Sequence, residues 1–147
     1  MNPPLGLPEE EPLARLHRVT GEAERWANVF EHIEIGVVIT SVDATIELCN
    51  PAYARMHGRR IEDLVGVSAI EVIAPESRPE LAGHLEVLAE QGHAVWETIH
   101  VRADGSRFPV VVDSTSIRDD AGAFLYQATT IKDITARRAA AERLAHL

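Results

Sequence analysis

The chain has a single cysteine, Cys49, in 147 residues. No intrachain disulfide can form, and the composition suits a reducing compartment. Cations are also scarce: Lys and Arg number 14 against 23 Asp and Glu, for a formal net charge of −9. Phosphate backbones and anionic membrane surfaces call for clustered Lys and Arg, so neither a nucleic-acid partner nor direct membrane contact is expected. No apolar run approaches the roughly 20 residues that cross a bilayer. The N-terminus, "MNPPLGLPEEEP", is proline-rich and acidic and lacks the charged-then-apolar pattern of a signal peptide. These features imply a soluble, cytoplasmic protein.

Motifs of catalysis are lacking too. The seven histidines, His17, His32, His57, His84, His93, His100 and His146, form no HxH or HxxxH, and no CxxC accompanies them, so a metal held by protein ligands is not expected. There is no GxSxG elbow, and Cys49 has no neighbouring histidine; its expected role is that of a small core hydrophobe. Neither GxxxxGK[ST] nor GxGxxG occurs. Glu62/Asp63 and Asp119/Asp120 fall in turn-like stretches, where carboxylates face solvent. Nothing indicates an enzyme, which leaves a domain that binds or transmits.

Periodicity supplies the elements. Met1 to Pro12, with four prolines and three consecutive glutamates, cannot build a core and is expected to be disordered. Over residues 13–33, Leu16, Val19, Ala23, Trp26, Phe30 and Ile33 recur at alternating spacings of three and four, which predicts an amphipathic helix. Its stripe suits either docking on its own domain or a seam with a second copy; Gly21 weakens it. "GVVITS" and "TIEL" read as two short strands around Asp43-Ala44. Asn50-Pro51 opens a helix, with Asn as N-cap and Pro at the first helical position, and Gly58 closes it. A longer helix carries Leu81, Leu85 and Leu88 before Gly92. Then "AVWETIHVR", "RFPVVVDSTSIR" and "AFLYQATTIKDI" alternate as three strands joined by turns at Asp104-Gly105 and "DDAG". The fold class is α+β, an antiparallel sheet with short helices on one face. The final stretch, Gly122 to Leu147, begins as a strand and ends as an alanine-rich helix over 136–147.

Two of these stretches resemble the PAS sensory domain family. "FEHIEIGVVITSVDATIELCNPAYARMHGRRIEDLVG" is similar to its opening pattern: short helix, strand, Asp-containing turn, strand, Asn-Pro-Ala-aromatic helix, Gly, then x-E-x-L-x-G. "VWETIHVRADGSRFPVVVDSTSIRDDAGAFLYQATTIKDITARR" is similar to its closing pattern of Trp-Glu strand, R-x-D-G hairpin, D-x-x-G hairpin and terminal Asp-Ile-Thr. One departure is the first hairpin, where the family often has Gly and this chain has Asp43-Ala44-Thr45. The resemblance implies a five-stranded antiparallel sheet over 34–135 whose concave face, with the short helices, encloses a pocket. It also implies that Asp133, Ile134 and Thr135 join the last strand to a helix leading to an output module, often a histidine kinase or diguanylate cyclase. Thr135 can N-cap that helix while Asp133 ties down the junction. The helix has little to pack on alone, so a homodimer is expected, with Leu16, Val19, Ala23, Trp26 and Phe30 of the first helix as its other contact.

PAS domains hold haem, flavin, small metabolites or nothing. The subgroup that bonds flavin to cysteine resembles "N-C-R-F-L-Q" on a mid-domain helix, whereas "MHGRRIEDLVG" here has no cysteine. Cys49 is misplaced for the photoactive-yellow subgroup as well. For haem, His84 on the long helix is the candidate, although the resemblance places Leu81 at the ligand position. For flavin the candidate is Trp96. Expected pocket residues are Val38, Ile46, Tyr53, Met56, Leu85, Trp96, Ile99, Phe108, Val110 and Thr129. The leading reading is a non-catalytic sensory and dimerisation module. The alternatives are a ligand-free interaction domain and a haem- or flavin-bearing sensor.

Overall fold

The computed structural model describes residues 9–147. Most of the tail expected to be disordered, 1–8, lies outside the described residues, and Pro12 already opens a helix. This helix, α1 (Pro12–His32), starts on a proline whose missing N–H needs no partner at that position. It runs through Gly21 unbroken. It buries none of its residues: Leu16 is 60% exposed and Trp26 72%. Only its last turn nears the domain, where Phe30 is half-buried and α1 meets α2 (Pro51–Met56).

The chain then enters a hairpin of β1 (Gly36–Thr40) and β2 (Ile46–Cys49), with Val38 opposite Cys49. Asn50 follows, fully buried. Its Oδ1 accepts the N–H of Tyr53 at 3.0 Å and of Val37 at 2.8 Å, while Nδ2 donates to the Ile35 carbonyl at 3.0 Å. One side chain therefore caps α2 (Pro51–Met56) and pins it across β1. Helix α3 (Ile61–Leu64) and two 3-10 turns, Ala69–Val72 and Pro75–Glu80, lead to α4 (Leu81–Gln91). Gly92, with φ of 74°, ends α4 in the left-handed conformation, and its N–H bonds the Leu88 carbonyl at 2.8 Å.

Strands β3 (His93–Val101), β4 (Arg107–Arg118) and β5 (Phe124–Asp133) form the meander, and α5 (Thr135–Ala145) ends the chain. All pairings are antiparallel, in the order β2-β1-β5-β4-β3. The last strand thus returns to the middle of the sheet beside the first, with Gly36 opposite Ile131. As a result α1 and α5 join the sheet at the same end. The core is one cluster between the sheet and α2–α3, with Tyr53, Leu64, Phe108 and Val110 almost fully enclosed. Cys49 belongs to it, and burial pushes its thiol up to about 11.

Candidate functional site

Strand alternation decides which side chains face the helices. On β1, β3 and β4 these are the even-numbered residues; on β5, past the register shift near Ile117, they are odd-numbered. Val38 and Thr40, Trp96, Thr98 and His100, Val112 and Ser114, and Thr129 and Ile131 therefore share one surface. Helix α4 lies over it with Leu81, Leu85 and Leu88. Ala69 to Ile73 close one side, and Tyr53 closes the end beneath α2. The space enclosed is a cavity of about 100 Å³. Its wall carries no Asp, Glu, Lys or Arg.

A histidine pair stands at the Tyr53 end. His57 is fully buried and His100 is 4% exposed. Nδ1 of His57 lies 2.7 Å from the Tyr53 carbonyl, and Nε2 lies 2.9 Å from Nδ1 of His100. Phe108 closes edge-on against both rings. Burial, opposed by the hydrogen bond to the Tyr53 carbonyl and reinforced by the Arg59 and Arg102 charges, pulls His57 down to about 4. Burial and the neighbouring imidazole pull His100 down to about 3. Both rings are neutral at neutral pH, and this fixes their protons. A carbonyl only accepts, so His57 Nδ1 donates. Its Nε2 must then accept, and His100 Nδ1 donates to it.

The end of β5 is held as firmly. Asp133 Oδ1 accepts from the Thr135 N–H at 2.9 Å and the Thr135 hydroxyl at 2.6 Å, and Oδ2 pairs with Arg102 at 3.6 Å. Ile134 is buried and donates its N–H to the Pro109 carbonyl at 3.0 Å. Thr135, expected as the cap of α5, is its first helical residue; Ile134 stands at the cap position, and Asp133 ties the junction by accepting the free Thr135 N–H. Beyond the turn, Arg137 and Arg138 reach Glu97 of β3 at 2.7 and 2.9 Å.

Comparison with known proteins now bears on this arrangement. A family model described as the PAS fold matches residues 30–139. The chain belongs to the PAS family. Among curated relatives, the sensor histidine kinase TmoS of Ectopseudomonas mendocina is 29% identical over 133 residues; the match covers 88% of this chain and 14% of that one. Among solved structures, a PAS domain from Colwellia psychrerythraea superposes with a TM-score of 0.74 at 16% identity, covering 78% of this chain and 98% of that one. A PAS domain of a LuxR-family transcriptional regulator from Burkholderia thailandensis, in complex with ethanol, gives 0.63 at 27% identity, covering 75% and 97%. The chain is thus a PAS sensory domain homologous to those of sensor histidine kinases. No helix among the described residues is long and apolar enough to cross a membrane.

Of the residues picked out in the sequence, the PAS cavity takes Val38, Tyr53, Leu85, Trp96 and Thr129. Ile46, Phe108 and Val110 face the same side but lie where α2 and α3 fill the core, and Met56 packs against that cluster. Ile99 points to the other side of the sheet, as its odd position on β3 requires. His84 does not line the cavity; its ring stacks flat on Trp96, 4.8 Å between centroids and 6° between planes. The space is about 100 Å³, under the roughly 300–1,000 Å³ of ordinary ligand pockets, and no histidine of α4 stands in its wall. His57, His100, Thr98 and Ser114 went unnoticed in the sequence. For Thr98 and His100 the available signal was polar residues in phase with Trp96 on a strand face that must be buried, and for Ser114 the same phase with Val110 and Val112; His57, at the end of α2, carried no such signal.

Proposed function

We propose that this PAS domain is a sensory module that holds a small molecule in the cavity and passes its presence through the Asp133–Thr135 junction and α5 to an output partner such as a histidine kinase. The observation that carries this reading is the position of Glu97. Its neighbours on β3, Trp96 and Thr98, face the cavity, while Glu97 itself, on the other side of the strand, holds Arg137 and Arg138 of α5. A shift of β3 around a ligand is therefore a shift at the root of the outgoing helix. Changes of helix packing are an established way to carry such a signal. The relationship to a sensor histidine kinase, of which this chain spans 14%, supports the choice of partner.

The same reading makes the domain, 34–135 between helices 13–33 and 136–147, a homodimer without catalysis of its own. Leu16, Val19 and Trp26 of α1 are exposed, and covering each such side chain is worth about 1.5–3 kcal/mol at most. Because α1 and α5 leave the same end of the sheet, a partner pairing along α1 also brings the two α5 helices together. Sedimentation velocity tests this. A dimer that Leu16→Glu with Trp26→Glu splits into folded monomers is expected; a chain that stays monomeric at every concentration rules out the dimer. Hydrogen exchange in α5 with and without a cavity ligand tests transmission, and unchanged exchange rules it out.

A further inference from the structure

The proton order of the histidine pair has a consequence for what the cavity can take. Nδ1 of His100 is spent as a donor to His57. Nε2 is therefore a bare lone pair, with no protein partner among the described residues. It is not sealed away: the only enclosed side-chain nitrogen or oxygen left unpaired among those residues is Nε of Arg59. His100 itself lines the cavity. The site thus presents an acceptor that cannot change role. Tyr53 and Thr98, which also line the wall, carry hydroxyls that differ in kind, since each can donate or accept by rotating. An occupant that covers this lone pair without donating to it leaves it unpaired, which is costly, so an occupant is selected for bringing a donor.

The rest of the wall sets the other terms. A charged occupant would meet no opposite charge, because no ionised side chain lines the space. Leu81, Leu85, Leu88 and Trp96 offer apolar contact. The volume, about 100 Å³, is somewhat under the roughly 150 Å³ of an apolar cavity known to admit benzene. We propose that the cavity recognises a small uncharged molecule with a hydroxyl on an apolar body, a short alcohol or a phenol, and that its hydroxyl donates to Nε2 of His100. The ligand oxygen is then free to accept from Tyr53 or Thr98. This assignment rests on the sensory reading above and gives it a ligand class.

The test compares three probes of one ring size on the full chain: phenol, fluorobenzene, which cannot donate, and benzoate, which is charged. Binding is read from NMR shifts of the backbone and of 15N-labelled histidine rings. Phenol is expected to bind about tenfold more tightly than fluorobenzene, and benzoate not to bind. His100 Nε2 should read as unprotonated in the free protein and should shift most when phenol is added. His100→Phe should abolish the preference for phenol. Should that variant fail to fold, the wild-type spectra still decide, because a protonated Nε2 on His100 overturns the proposal. Equal binding of phenol and fluorobenzene, or preferred binding of benzoate, also overturns it while leaving ligand sensing intact. No shift with any probe at millimolar concentration overturns both.

Discussion

Glu97 and Arg137 lie 40 residues apart in sequence and meet at 2.7 Å, which ties the edge strand of the sheet to the helix that leaves it. Arg138 occupies the second oxygen of the same carboxylate at 2.9 Å, and the hydrogen bond from Arg138 is the main reason the Glu97 carboxyl titrates below its ordinary range. All three side chains are substantially exposed, and exposed ion pairs add little to global stability. Glu97→Gln should leave the melting temperature nearly unchanged yet speed hydrogen exchange in the first two turns of α5. Equal exchange in variant and wild type shows that the pair does not hold the helix. Raising the salt concentration should mimic the substitution, since screening weakens such pairs.

The histidine pair predicts acid sensitivity in a defined window. In the unfolded chain each ring takes up a proton near pH 6.5. In the fold His57 resists to about 4 and His100 to about 3. Below about pH 6.5 the unfolded state therefore binds more protons, and stability falls as pH falls; above it the contribution is fully present. The slope is up to about 1.4 kcal/mol per pH unit for each ring, enough for a loss of about 2 kcal/mol or more between pH 7 and 5. Carboxylates with depressed values act lower: Glu76, held at about 2 chiefly by its hydrogen bond from Arg107, loses its contribution only below its ordinary value of 4.5. Urea titrations at pH 7, 6 and 5 measure the slope. It should flatten in a His57→Leu/His100→Leu double variant that still folds, and a flat wild-type profile contradicts neutral buried rings.

That pair marks the limit of what could be read before the fold was known. Alternation is local, so the strands and the faces holding Val38, Trp96 and Thr129 were accessible from the sequence. So was the capping role of Asn50, three residues before the N–H it accepts. Ile99 was misplaced through a slip of parity, being three residues from Trp96 on a regular strand. Ile46, Phe108 and Val110 lie on the right side but at the end that α2 and α3 fill, and no periodicity says where a core stops and a cavity begins. His57 and His100 are 43 residues apart, and only the fold joins them, where the His57 ring at the end of α2 meets those of His100 and Phe108.

Asn50 should be among the least replaceable polar residues. It is fully buried and satisfies Val37, Tyr53 and Ile35 with one amide. Asn50→Ala removes a cap and leaves two backbone donors and one acceptor without this partner, the Tyr53 N–H in a buried site and the other two in part-buried ones. A loss of about 3 kcal/mol is expected from the sum of cap and desolvation terms. Asn50→Asp keeps the two accepted bonds but places a charge opposite the Ile35 carbonyl, so it should recover only part of the loss, and less at higher pH. Denaturant midpoints for the two variants decide; a change under about 0.5 kcal/mol for the alanine variant contradicts the clamp.

Ala44 and Gly36 invite opposite substitutions. Ala44 has φ of 65°, the one non-glycine residue with positive φ among those described, at the hairpin position where the sequence departs from the glycine common in the family. A left-handed residue with a Cβ costs roughly 1–2 kcal/mol, and glycine gives back about 0.5–1 kcal/mol of that through unfolded-chain entropy. Ala44→Gly should thus raise stability by about 0.5–1 kcal/mol. Gly36 is the reverse case. A Cβ there would sit 3.0 Å from Met56 Cε, 3.2 Å from Tyr53 Cα and 3.3 Å from the Ile131 carbonyl oxygen. The methionine end can move, but the two backbone atoms belong to α2 and β5, and parting them disturbs the close seat of α2 on β1. Gly36→Ala should destabilise by about 1–3 kcal/mol, the usual cost of overpacking. Thermal melts of the two single variants and of the double variant check both signs. The sites have no partner in common, so the double variant should equal the sum within about 0.5 kcal/mol, and a stabilising Gly36→Ala means that α2 does not sit this tightly on β1.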